Sequence, residues 1–521
     1  MERMLIYQFM PRLWNSIGND SAEPRSGKFS DVDEGFLGYL RDMGFSHLWL
    51  TGVVRHATTV PFEGCPPSEE QVVKGKAGSP YAIVDYYDVN PYMADNVDDR
   101  MGEFESLIKR VHDSGLKLLI DFVPNHVARD YGLKGLVRKD VRALGADDDR
   151  SVHWKPGNDF FYYPGQALSL PSQGGMRVAS GYSEMPAKAS GNCFSPSPGV
   201  NDWYETVRIN YCDFHTPTWD RMYDIVRYWC LKGVDGFRCD MVEMVPWQFF
   251  KWLIARIKEE FPKVVFVAEV YSREQYRHYV EEVGFDFLYD KSGLYDSLRA
   301  LVEGHGTARS ITWSWQSLGD LQPHMLNFLE NHDEQRFASD FFGHDAGRSF
   351  AALAAGLLLN TSPYMVYNGE EIGERGMDCE GFSGRDGRTT IFDWWTPGYA
   401  PSLIEWIRTG KGLTDKEMAL LERWRSALRT ASLEPAFSRG GTFDLCYCNE
   451  HSWGFDPERQ HAFLRGVPER VYLVVCNFSS DKACLDVNIP REAFCHFGND
   501  RGSEVIRGIS VPADDYVLIP V

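Results

Sequence analysis

Phe104-Glu-Ser-Leu-Ile-Lys-Arg-Val-His-Asp-Ser-Gly-Leu-Lys-Leu-Leu-Ile-Asp-Phe122 decides the fold. Phe104, Leu107, Ile108 and Val111 fall at i, i+3, i+4 and i+7, a single helix face. Asp98 or Asp99 can cap the start of that helix and Gly115 its end. Leu116 to Phe122 is then an apolar run of strand length, the pattern of a strand buried on both faces. A helix that hands over to such a strand is half of a crossover unit, and it predicts a parallel sheet.

The same rhythm extends in both directions. Trp219, Met222, Tyr223 and Val226 share a helix face, Gly233 ends that helix, and Val234 to Cys239 follows as a strand. Further strands are expected at Leu5 to Phe9, His47 to Thr51, Val264 to Ala268, Phe285 to Tyr289, Met325 to Leu329 and Tyr364 to Tyr367. Eight strands alternating with helices predict an α/β fold, a (β/α)8 TIM barrel. The stretch after the third strand is rich in Gly, Pro, Ser and aromatics and has little helical period; it is too long for a simple loop. Beyond about Leu433 the pattern changes to short strands, such as Val471 to Asn477 and Tyr516 to Val521. The chain therefore divides into a first barrel part over 1–126, an irregular inserted subdomain over 127–211, a second barrel part over 212–432 and a C-terminal all-β sandwich domain over 433–521.

Composition excludes several function classes. The formal charge is −20, from 54 basic and 74 acidic residues, with no basic run longer than a couple of residues. Nucleic-acid binding needs local cation density, so no nucleic-acid partner is expected. The longest apolar stretch, Phe350 to Leu359, is too short to span a bilayer, so no membrane partner is expected either. Met1 to Phe9 lacks the basic-then-apolar layout of a secretory signal, and the 11 Cys follow no framework spacing. Reduced thiols and a cytoplasmic location are the expectation. The sequons at Asn360 and Asn477 adjoin apolar runs and read as chance.

The downstream ends of the strands carry the chemistry, where barrel enzymes place their active sites. The fourth ends in Gly236-Phe-Arg-Cys-Asp240; Arg238 and Asp240 are two apart and point to one face of an extended chain. A cation beside a carboxylate lowers its pKa, which suits a nucleophile. The fifth ends in Phe266-Val-Ala-Glu269, where desolvation would raise the carboxyl pKa and suit a general acid. The seventh ends in Phe328-Leu-Glu-Asn-His-Asp333, and the third runs into Asp121-Phe-Val-Pro-Asn-His126. Two carboxyl groups with separated pKa values are what retaining glycoside cleavage requires. Taken singly, each of these acids is equally well a structural ion-pair member, and each His a satisfied core residue.

Taken in order, the four segments resemble the conserved regions of the α-amylase family of glycoside hydrolases. Gly44 to Thr51, Ser79 to Tyr86 and Ser362 to Glu371 resemble further segments of that family. The resemblance implies Asp240 as nucleophile, Glu269 as acid/base and Asp333 as the third carboxylate. It further implies that Tyr81 stacks under the reacting sugar, and that Asp85, His126, Arg238 and His332 bind its hydroxyls or orient the nucleophile. Many members bind calcium between barrel and insert through an Asn at the position of Asn125 and an acid from the insert; Asp213 is the candidate for the second ligand. Two candidates do not define a site with six or more oxygens, so the cofactor requirement is open. Met241-Val-Glu243, after the nucleophile, departs from the residues that often contact the next sugar.

The expected function is retaining hydrolysis of α-1,4-linked maltodextrins or starch, so the expected partner is an oligosaccharide or polysaccharide. The rival is a 4-α-glucanotransferase with the same machinery. A non-catalytic carbohydrate-binding or interaction protein on this scaffold is disfavoured, because all three carboxylates are present. Candidate sugar platforms are Trp154, Phe160, Phe161, Tyr162, Tyr163 and Trp203 in the insert, and Trp247 after the nucleophile.

Overall fold

The structure, a computed structural model, describes residues 3–18, 25–171, 181–377 and 384–521. All eight expected strands are present and close into a parallel barrel: β1 (Leu5–Phe9), β2 (His47–Leu50), β3 (Lys117–Phe122), β4 (Gly236–Cys239), β5 (Val265–Ala268), β6 (Phe287–Tyr289), β7 (Met325–Phe328) and β8 (Tyr364–Tyr367). They follow chain order around the barrel, and the pairing of Leu5 with Tyr364 closes it. Arg238 on β4 lies level with Asp121 on β3 and Val267 on β5, so the ends of three neighbouring strands open onto one rim.

The crossover helices follow the apolar stripes. The helix Arg100–Asp113 buries Phe104, Leu107, Ile108 and Val111, and Pro217–Lys232 buries Trp219, Met222 and Val226 before Gly233 turns the chain at φ 98°. A side chain there would be strained, so glycine suits the position. The expected cap at Asp99 is not made. Instead Asn96 accepts from the Asp98 N–H, and Glu103 reaches back to the N–H groups of Asp95 and Asn96. The orphan donors before the helix are thus met by other side chains.

Two excursions rise above the rim. After β2, strands Val54–His56 and Ile83–Val89 form an antiparallel hairpin. After β3, His126–Ala128 pairs with Thr206–Arg208, and Tyr162–Tyr163 pairs with Ala187–Lys188. Ion pairs hold this irregular region, the buried Arg129 to Glu184 at 2.8 Å and the half-buried Arg221 to the buried Asp159 at 2.5 Å. Residues 172–180 of the expected insert lie outside the described residues.

In the tail, Gly441–Asp444, Gln460–Val467, Arg470–Asn477 and Asp515–Pro520 form a four-stranded antiparallel sheet. It shares a core, including Leu464, Leu473, Val475, Leu485 and Val487, with the two-stranded sheet Ala483–Ile489 and Glu504–Val511. The sheet docks on the barrel helix Phe350–Leu357, whose every side is buried, which accounts for its unbroken apolar run. Among the described residues no helix is long and apolar enough to cross a membrane, and every cysteine is a free thiol.

Candidate active site

Asp240 and Glu269 each follow their strand by one residue, and each N–H still bonds to the preceding strand, to Phe122 O and Cys239 O. The ladder thus fixes where both side chains start. Arg238 Nη1 donates to Asp240 Oδ1 at 2.6 Å, and Nη2 lies 2.9 Å from Glu269 Oε2. Asp333 Oδ2 is 4.0 Å from the same Nη2. One guanidinium therefore joins the ends of β4 and β5 and faces the end of β7. Arg238 and Glu269 are buried, whereas about a third of the Asp333 side chain (35%) opens to the cleft. A cleft of about 420 Å³ sits above, lined by Tyr81, His126, Trp203, Asp240, Glu269, Tyr271 and Asp333 among others, within the size range of small-ligand sites.

Three carboxylates around one cation leave an excess of negative charge in a buried place. Burial pushes Asp240 up to about 8, against the pull of Arg238 and with the help of Glu269. Asp333 is shifted upward too, by burial and then by Glu269. This corrects the expectation that Arg238 holds Asp240 below the usual range: desolvation and like charge outweigh the single ion pair. Asp240 and Asp333 are both shifted towards their protonated forms. Glu269 also departs from the expected apolar setting. Its Oε2 accepts from Met241 N at 2.9 Å, and its Oε1 from the Tyr271 hydroxyl at 2.8 Å.

His332 lies against Tyr81, with ring centroids 5.5 Å apart, and its Nε2 is within hydrogen-bonding reach of the Tyr81 hydroxyl and 3.1 Å from Asp333 Oδ2. Gln8 Nε2 lies 2.7 Å from the other ring nitrogen, Nδ1. The imidazole accepts there and carries its proton on Nε2, towards Asp333 and Tyr81. Burial, then Arg238, depress its pKa well below the ordinary histidine value, so it works as a neutral donor. His126 is likewise kept neutral by burial, its pKa pushed down to about 3, and its ring packs 5.1 Å from that of Trp203.

Asp85 is not part of this assembly. It is buried in the hairpin, where its carboxylate accepts from Tyr87 N at 2.9 Å and Val137 N at 2.6 Å. It lines a separate pocket with Arg55, His56 and Asp130. Its role here is to fasten the hairpin to the insert, which corrects the expected contact with a sugar hydroxyl. Of the six insert aromatics, Trp203 alone is among the described lining residues of the cleft; Phe160 and Tyr162 are core residues. Trp247 packs on His278 at 4.8 Å. Sequence reasoning missed Tyr271, an exposed ring two residues past Glu269, and it named Met241 without the left-handed backbone (φ 46°) that aims its N–H at Glu269.

The groups at the junction of barrel and insert do not fit a calcium ion. Asn125 is buried and uses its side-chain N–H to donate to Gly191 O at 3.0 Å. Asp213 is exposed. The cation at this junction is Arg208, which donates to Gly191 O at 3.0 Å and to Met244 O at 2.9 Å.

Comparison with known proteins gives a family and a fold. A family model described as Alpha amylase, catalytic domain, matches residues 19–419. Alpha-amylase 3 of Dictyoglomus thermophilum is 24% identical over 385 residues, which are 71% of this chain and 64% of that protein. A cyclomaltodextrin glucanotransferase of Geobacillus stearothermophilus is 23% identical over 64% of this chain and 42% of its own length. The chain thus spans less than two thirds of either relative. Among solved structures, the maltogenic α-amylase AmyB of Thermotoga neapolitana shares the fold, with a TM-score of 0.62 at 20% identity over 99% of this chain and 98% of its own.

Proposed function

The chain belongs to the α-amylase family, and we propose that it is a retaining glycoside hydrolase cleaving α-1,4-glucosidic bonds in maltodextrins or starch through a covalent glycosyl-enzyme intermediate. The observation that carries this reading is the single Arg238 guanidinium shared by Asp240 and Glu269 beneath an open cleft. In the first step an Asp240 carboxylate oxygen attacks the anomeric carbon, while a proton from Glu269 goes to the departing glycosidic oxygen. In the second, Glu269 takes a proton from water, whose oxygen replaces Asp240 at the same carbon. Two displacements retain the α configuration. Asp333 and the Nε2–H of His332 hold the sugar hydroxyls, and those bonds tighten as positive charge develops on the ring. Tyr81 forms the floor under that ring.

One observation favours the glucanotransferase reading: Tyr271 presents a ring 40% exposed beside Glu269, where an acceptor sugar could stack. Transfer wins only when such an acceptor outcompetes water at about 55 M, a matter of effective concentration. Incubation with maltoheptaose, with products resolved over time, separates the two. Hydrolysis releases reducing ends, with glucose or maltose accumulating. Products longer than the substrate at a flat reducing-end count would replace the hydrolase by the transferase. No turnover of any α-glucan would remove both.

A further inference from the structure

Arg208 belongs to the insert strand Thr206–Arg208 and lies opposite His126 in the antiparallel pairing. Its guanidinium spans two parts of the molecule that the chain keeps far apart. One nitrogen donates to Gly191 O, in the insert, and another to Met244 O, in the turn Val242–Met244 that follows Asp240. Gly191 O receives the Asn125 amide as well, and the flat face of the guanidinium lies 5.0 Å from the Phe194 ring. The hydrogen-bond acceptors of Arg208 are thus neutral carbonyls. A calcium ion needs six to eight oxygens, usually with carboxylates among them. Here Gly191 O and Met244 O are already engaged by N–H donors, and Asp213 is exposed.

The turn held by Arg208 also serves the acid/base. Met241 N donates to Glu269 Oε2, and Glu243 accepts from Tyr271 N at 2.8 Å and Ser272 N at 3.2 Å. On the other side, the strand held by Arg208 carries the pairing that seats His126 against Trp203 on the cleft wall. We propose that Arg208 is a positioning residue, the built-in cation of the barrel–insert junction, which fixes the cleft wall relative to the catalytic turn without a divalent metal. Arginine suits the task because its planar fork addresses two carbonyls at once and keeps its charge at neutral pH.

The test compares wild type, Arg208→Met and Arg208→Lys, each in a calcium chelator and with added calcium, by thermal melting and by kinetics on maltoheptaose. Melting temperature and kcat/KM of the wild type should be unchanged by chelator or calcium. Arg208→Met should melt lower and show KM raised about tenfold, the loss expected for two charge-assisted hydrogen bonds that place a binding wall. Mere loss of folded protein would lower apparent kcat at constant KM, so the KM rise is specific to positioning. Arg208→Lys keeps the charge but brings one nitrogen to two carbonyls, so its KM should lie between those of wild type and Arg208→Met. Wild-type melting or activity that falls in chelator and returns with calcium would overturn the proposal. So would Arg208→Met with wild-type KM, or Arg208→Lys as impaired as Arg208→Met. The kinetic arm rests on the proposed α-glucan substrate; if wild type does not turn over maltoheptaose, that reading falls while the chelator and melting arms still decide the role of Arg208.

Discussion

The Tyr271 hydroxyl donates to Glu269 Oε1 at 2.8 Å, from a ring that stands at the mouth of the cleft. Glu269 Oε2 is already taken by Met241 N and Arg238, so Oε1 is the oxygen left to meet a departing sugar. Under the proposed mechanism Tyr271 aims the acid/base. Tyr271→Phe should lower kcat on maltoheptaose about tenfold, the scale of one hydrogen bond to a charged group. An aryl glycoside with an activated leaving group needs little protonation and should be nearly unaffected. Equal losses on both substrates would detach Tyr271 from proton transfer.

Asp240→Asn should abolish turnover, a loss of several orders of magnitude for a covalent nucleophile, while making the protein more stable at alkaline pH. Burial pushes Asp240 up to about 8, so the folded state favours the protonated acid. The stability this contributes is complete below the unfolded aspartate value of about 3.9 and is lost as pH rises towards 8. The amide carries no charge and avoids that loss. Melting curves of wild type and variant should diverge in the variant's favour across this window. A variant that melts below wild type at its upper end would show that the Arg238–Asp240 pair stabilises more than the buried charge costs.

The barrel was legible because parallel strands buried on both faces read as short apolar runs, and all eight appear where those runs fall. The acids were legible only as a set: singly each reads as an ion-pair member, but the strand-end segments of Asp121, Asp240, Glu269 and Asp333 follow in the order that one family shows. Asp85 was assigned by the resemblance alone, and the local backbone tells against it. Tyr81 and Asp85 would share a face in one continuous strand, but Tyr81 precedes the strand that starts at Ile83, and the turn between them breaks the parity. The insert aromatics Phe160 and Tyr162 carry no periodicity to tell core from cleft, and they prove to be core. Tyr271 lies in a loop, where only the register of its neighbours in space, Glu243 and Glu269, gives it meaning. The balance between Arg238 and burial at Asp240 needed all three carboxylates placed together.

The stereochemistry should be retention. Asp240 as nucleophile gives two displacements, whereas a water held between two carboxylates gives one and inverts. An NMR time course on fresh maltoheptaose digests should show the α-anomer first, drifting to the equilibrium mixture. β-Anomer at the earliest points would contradict the nucleophilic role of Asp240, and the lost activity of Asp240→Asn would then reflect a general base.

Arg238→Lys tests the shared guanidinium itself. In the native protein Nη1 serves Asp240 at 2.6 Å, while Nη2 stands 2.9 Å from Glu269 and 4.0 Å from Asp333. The plane of the fork also lies between the Trp49, Tyr81 and Tyr289 rings, 5.5–5.8 Å from their centroids. An ammonium keeps the positive charge but has one nitrogen, so it cannot hold two strand ends in fixed relation. The variant should fold, keep substrate binding within a few-fold, and lose about 10²-fold in kcat, the scale expected when a reacting group is displaced by an ångström. Full activity in Arg238→Lys would mean that charge alone suffices and that the forked geometry does not matter. A large rise in KM with kcat preserved would place Arg238 with the sugar-binding groups rather than with the nucleophile.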